Sequence, residues 1–112
     1  MDSMEKLKQE YVASLAQKRE TIRITLGSVM RALKNRVAPD WKALEFVVHK
    51  FAGSSGTYGF RELSAHARDL EDRITGGEFA SAPAKKTAAY LHAWLERLDA
   101  LLEGAINGKK AA

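Results

Sequence analysis

Apolar residues recur along this chain at intervals of three and four, and no stretch alternates apolar and polar positions for long enough to form a strand. That is the period of helices buried along one side. The spacing predicts a first segment over residues 3–18, with Leu7, Tyr11 and Leu15 one turn apart, and a second carrying Ile22, Leu26, Val29, Met30 and Leu33. Nothing between them breaks a helix, so the sequence leaves open whether they join. Pro39 marks a boundary, because the residue before a proline avoids helical angles while proline itself suits a first turn. The next helix is therefore predicted to begin near Asp40 and to end between Ser55 and Gly59. Another places Phe60, Leu63, Ala67, Leu70 and Ile74 on one face and stops at Gly76 and Gly77, a glycine stop signal. After a loop through Pro83, the last helix carries Leu91, Trp94, Leu95, Leu98, Leu101, Leu102 and Ile106 and is expected to fray from Gly104. The pattern predicts an all-α protein, an antiparallel four-helix bundle over residues 20–106 with an additional N-terminal helical segment, in one domain spanning residues 1–112.

Composition narrows the function classes. A chain of 112 residues is one domain by size, and 46% hydrophobic with 29% charged residues is the balance of a folded globular protein. The absence of cysteine excludes disulfides, thiolate nucleophiles and cysteine metal sites together. The N-terminal stretch is charged throughout, and no run approaches the roughly 20 apolar residues of a membrane span, so a cytoplasmic protein with no membrane partner is expected. The net charge is +4, and the basic residues are scattered along the chain, as Arg19, Arg23, Arg31, Lys34 and Arg36, then Lys85 and Lys86, then Lys109 and Lys110. Scattered charge makes a solvated basic surface rather than a continuous nucleic-acid face. No nucleic-acid partner is expected, and a small basic helical nucleic-acid binder is the weakest of the rival readings.

The candidate chemistry lies between His49 and Gly59. At about 100° per residue, the apolar face of the helix from Asp40 centres on Leu44, Val47 and Phe51, with Val48 and Trp41 at its margin, and His49 points away. Lys42, Glu45, Phe46, Ala52, Gly53 and Gly56 share that outward side. A glycine inside a helix costs about 1 kcal/mol relative to alanine, and no packing benefit for Gly53 and Gly56 is evident in the sequence. Steric clearance for a visiting protein is one explanation. The other is that the glycines simply end the helix, since GSSG is ordinary loop composition. Ser54, Ser55 and Tyr58 have no carboxylate to make a nucleophile of them and are read as helix-end residues. His66 and His92 are read as structural; with the 3 histidines in different helices and no HxxxH or ExxH pairing, no metal site is expected.

The stretch HKFAGSSGTYGFRELSAHARDLE, residues 49–71, resembles the signature of histidine-containing phosphotransfer (HPt) domains, the helical-bundle intermediates of multistep two-component phosphorelays. His49, Phe51, Gly53, Ser54, Ser55, Gly59, Leu63, Leu70 and Glu71 occupy the pattern's positions. The pattern carries a lysine three residues after the histidine, where its ammonium would meet a phosphoryl group; here that position is Ala52. Lys50 is rotated about 100° from it and Lys42 lies about 10 Å along the axis, while Glu45 would oppose an arriving phosphate. The resemblance implies that His49 accepts a phosphoryl group from a receiver-domain phosphoaspartate and passes it to another receiver aspartate. It implies receiver domains of response regulators as partners, with a hybrid histidine kinase as a further one. Docking would use the outward face, with Phe46 as an apolar anchor, Gly53 and Gly56 as the clearing, and Glu71 as a hydrogen-bond partner near the ring. No cofactor is expected on this chain, the Mg²⁺ belonging to the receiver. No GxxxxGK[ST] or kinase glycine loop is present, so the expectation is a monomeric phosphotransfer protein rather than a kinase. The rival within the same fold is a docking protein that binds a receiver without accepting phosphate.

Overall fold

The computed structural model describes residues 2–111, with side chains through residue 108. Four helices follow one another: α1 (Ser3–Lys34), α2 (Trp41–Thr57), α3 (Arg61–Thr75) and α4 (Ala84–Ala111). The two segments expected at the N-terminus are one 32-residue helix, because no proline or glycine separates Lys18 from Ile22 and both halves bury the same stripe. The N-terminal segment is thus the first half of a bundle helix. Asp2 caps α1, its carboxylate accepting from the Glu5 amide at 2.8 Å, and Asp40 caps α2 by accepting from the Ala43 amide at 3.1 Å. Each cap satisfies an amide that has no partner inside its helix. The last helix, expected to fray from Gly104, continues as helix to Ala111.

Neighbouring helices touch around a ring, α1 and α3 each packing against both α2 and α4. Successive helices run antiparallel: early α1 meets late α2 through Tyr11 and Ser54, Ser64 meets Ala52 while the later Glu71 meets the earlier His49, and His66 meets Trp94 while the later Asp69 meets the earlier Tyr90; α1 also meets α4 through Arg19 and Asp99. The core is a stack of leucines, with Leu15, Leu44, Leu70, Leu91 and Leu98 fully buried among Ile22, Leu26, Val29, Phe51 and Trp94. The Arg19 guanidinium holds the Asp99 carboxyl below its ordinary range through a two-pronged contact of 2.8 and 2.9 Å.

The turn between α2 and α3 fixes where α3 begins. Gly59 adopts φ +84° and a Cβ there would meet nothing within 4 Å, so the constraint is purely backbone. Its amide donates to the Gly56 carbonyl at 3.1 Å and the Phe60 amide to Ser55 at 2.8 Å. A non-glycine residue in this left-handed conformation costs about 1–2 kcal/mol. Gly59→Ala is therefore expected to lower unfolding free energy by about 1 kcal/mol, read from urea denaturation with an unchanged slope.

α3 and α4 are joined by His66 and Trp94. The rings stack at 4.6 Å and 9°; the imidazole Nε2–H donates to the Trp94 carbonyl at 2.9 Å, and the indole N–H donates to the His66 carbonyl at 3.0 Å. Burial pushes the His66 imidazole below its ordinary value, with Arg97 adding to the depression and Asp69 opposing it. A base with a lowered folded pKa stays neutral while the unfolded chain takes up the proton. Its contribution is present in full above about pH 6.5 and is lost as pH falls through the folded value. Stability should decline on acidification below about pH 6.5, and His66→Gln, which keeps a donor for the Trp94 carbonyl, should flatten that decline. Urea midpoints across that range test this; an unchanged slope against pH in the variant would exclude His66 as the titrating group.

Candidate functional site

α2 and α3 approach each other along a seam of small residues. The Ser64 hydroxyl donates to the Ala52 carbonyl at 2.7 Å, and a Cβ on Gly56 would lie 3.1 Å from the Ser64 Oγ. Gly56 is exposed at the edge of this seam, where a side chain would crowd Ser64. Ala52 needs a correction: it is 2% exposed and belongs to the core. The buried residues of α2 are Leu44, Val48, Phe51, Ala52 and Ser55, an arc turned toward α3 by about half of the 100° step from the face predicted around Val47. Val48, expected at the margin, is fully buried, and Val47 is only half-buried. The sequence pattern missed this rotation because alanine, serine and glycine carry little apolar signal even when they line a helix contact.

The seam brings His49 to Glu71. Leu70, fully buried, sets the rotation of α3 and leaves Glu71 facing α2. The His49 Nδ1 lies 2.6 Å from the Glu71 Oε2, with the imidazole side chain 68% exposed and the carboxylate 17% exposed. An ionised carboxylate only accepts, so Nδ1 carries the proton and donates it. In the neutral form of a ring that donates from Nδ1, the lone pair is on the second nitrogen, Nε2. The ring is exposed and oriented by a partner on another helix.

The other residues of the outward face are placed unevenly around the ring. Gly53 fits a clearing, since a Cβ there would meet nothing within 4 Å. Phe46, one turn before His49, is 62% exposed, and the Lys50 ammonium lies over its ring, 5.3 Å from the centroid. Both border a groove of about 470 Å³ between α1 and α2, together with Ser14, Gln17, Val47 and Ser54. Lys42 is exposed and Glu45 half-exposed on the same helix. Phe46 thus places an exposed apolar ring beside the groove, one turn from the exposed imidazole.

Ser54, Ser55 and Tyr58 are engaged in holding the fold. Ser55 donates to the Phe51 carbonyl at 2.6 Å, Ser54 pairs with the Tyr11 hydroxyl at 2.8 Å, and the Tyr58 ring stacks on Tyr11 at 4.6 Å. His92 is exposed on α4. Among the described residues, no three His, Asp or Glu side chains converge as a metal-binding group, and no helix is long and apolar enough to cross a membrane.

Compared with protein-family models, residues 6–104 match the Hpt domain, a span that takes in all but the first few residues of α1, the whole of α2 and α3, and most of α4. Comparison with curated proteins and with solved structures returns no match.

Proposed function

We propose, given that the chain belongs to the Hpt domain family, that it is a phosphorelay intermediate whose phosphoacceptor is the Nε2 of His49. The observation that carries this reading is the hydrogen bond from Nδ1 to Glu71, which leaves the lone pair on the exposed nitrogen. That nitrogen attacks the phosphorus of a receiver aspartyl phosphate; an N–P bond forms, the acyl O–P bond breaks, and the aspartate leaves as a carboxylate. The product imidazolium keeps its Nδ1 proton, and the Glu71 carboxylate neutralises the positive charge that develops on the ring. Transfer to a second receiver aspartate is the reverse of the same step. Positioning and charge neutralisation are the main demands of phosphoryl transfer, and the receiver's acidic pocket with its Mg²⁺ supplies the metal. The receiver docks over the face bearing Phe46, Lys50 and Gly53, and the protein acts as a monomer in the cytoplasm.

The burial of Ala52 favours a second reading, a receiver-docking protein without transfer, because the seam position next to the ring carries no cation. Incubation with a phosphorylated receiver separates the two. A carrier gains phosphate that is labile in acid and stable in alkali, as a phosphoramidate is; a docking protein binds the receiver and gains none.

A further inference from the structure

A phosphoryl group on His49 would sit beside the carboxylates of Glu71 and Glu45 with no cation at position 52. Lys50 is directed toward Phe46, and Lys42 is two turns away. The missing charge is available from α3. Ser64, Arg68 and Glu71 fall at the i, i+4, i+7 positions of one helical stripe, and both ends of that stripe touch α2: Ser64 reaches the Ala52 carbonyl and Glu71 reaches His49. Arg68 lies between these two contacts. With the helices antiparallel, the register set by the two contacts puts it level with the stretch of α2 from His49 to Gly53. It is exposed, and no ion pair to it exists among the described residues. The space before it is open, because nothing lies within 4 Å of where a Gly53 Cβ would be.

We infer that Arg68 is the phosphate-binding residue of this site, its guanidinium crossing the open surface over Gly53 to contact the phosphoryl oxygens on His49 Nε2. This rests on His49 as the phosphoacceptor. Arginine suits the task, since its planar fork meets phosphate oxygens in pairs and keeps its charge at any working pH. Gly53 gains a purpose as well: a side chain there would stand between the two groups.

The test has two arms. In the first, the protein equilibrates with a phosphorylated receiver, and the ratio of phospho-His49 to phosphoreceiver is measured for the wild type, Arg68→Ala, Arg68→Lys and Arg61→Ala. The last removes the same charge two turns away and controls for general electrostatics. Arg68→Ala should lower the ratio about tenfold, within the strength of a charge-assisted contact, with Arg68→Lys intermediate and Arg61→Ala like the wild type. In the second arm, phosphoramidate phosphorylates the protein without any receiver, and phosphorus NMR follows the second ionisation of the phosphoryl group. Its midpoint should rise by about one pH unit in Arg68→Ala, the same tenfold effect. Unchanged ratio and midpoint in Arg68→Ala would overturn the role of Arg68 and leave His49 as carrier standing. A wild type that takes nothing from receivers would instead overturn the relay reading, while the midpoint shift still decides whether Arg68 binds the phosphoryl group.

Discussion

Substituting His49 by glutamine should give a folded bundle that takes no phosphate from a phosphorylated receiver. The side chain is mostly exposed, and surface replacements away from core and caps usually change stability by no more than about 0.5 kcal/mol. A glutamine amide can still donate to the Glu71 carboxylate. What is lost is the nitrogen lone pair, for which an amide offers no substitute, so acid-labile phosphate on the chain should fall to background rather than by a modest factor. Receiver binding, measured by titration calorimetry, should persist, because Phe46, Lys50 and the groove beside them are untouched. Unchanged phosphate in His49→Gln would move the acceptor elsewhere.

Truncating Leu98 should do the opposite, removing stability while leaving the chemistry intact. Leu98 is fully buried at the middle of α4, on a helix that packs against α1 and α3 and contributes nothing to the His49 surface. Leucine-to-alanine changes at such positions cost about 2–5 kcal/mol, through lost burial and the cavity left behind. Small domains are stable by only about 5–15 kcal/mol. The melting temperature should therefore drop by roughly 10–20 °C, read by circular dichroism, while the protein held well below its melting point still accepts phosphate. A change of only a few degrees would mean that the bundle collapses around the gap more easily than its packing suggests.

The helices were legible because each buries one stripe, and periodicity reports that directly. Pro39, Gly59 and Gly76 with Gly77 punctuated them at the observed boundaries. The union of the two N-terminal segments into α1 was not decided by the pattern, since the absence of a breaker permits a join without requiring one. Within the site, His49 and Glu71 could be singled out from residue type and spacing, but their 2.6 Å contact depends on the rotation of α2 and the register of α3. Those follow from the close approach of Ala52, Gly56 and Ser64, residues too small to mark a face. The same blindness made Ala52 look like surface clearing when it is buried in the seam itself. Arg68 was invisible for a related reason: an arginine between a serine and a glutamate on a polar flank has no signature until both neighbours are seen to touch another helix.

The most direct measurement is NMR of the imidazole nitrogens in isotope-labelled protein after transfer from a phosphorylated receiver. Phosphorus coupling should appear at Nε2 of His49, with Nδ1 still protonated and hydrogen-bonded to Glu71. Phosphate on Nδ1, on another residue, or nowhere on the chain would contradict the assignment of His49 Nε2 as the phosphoryl carrier.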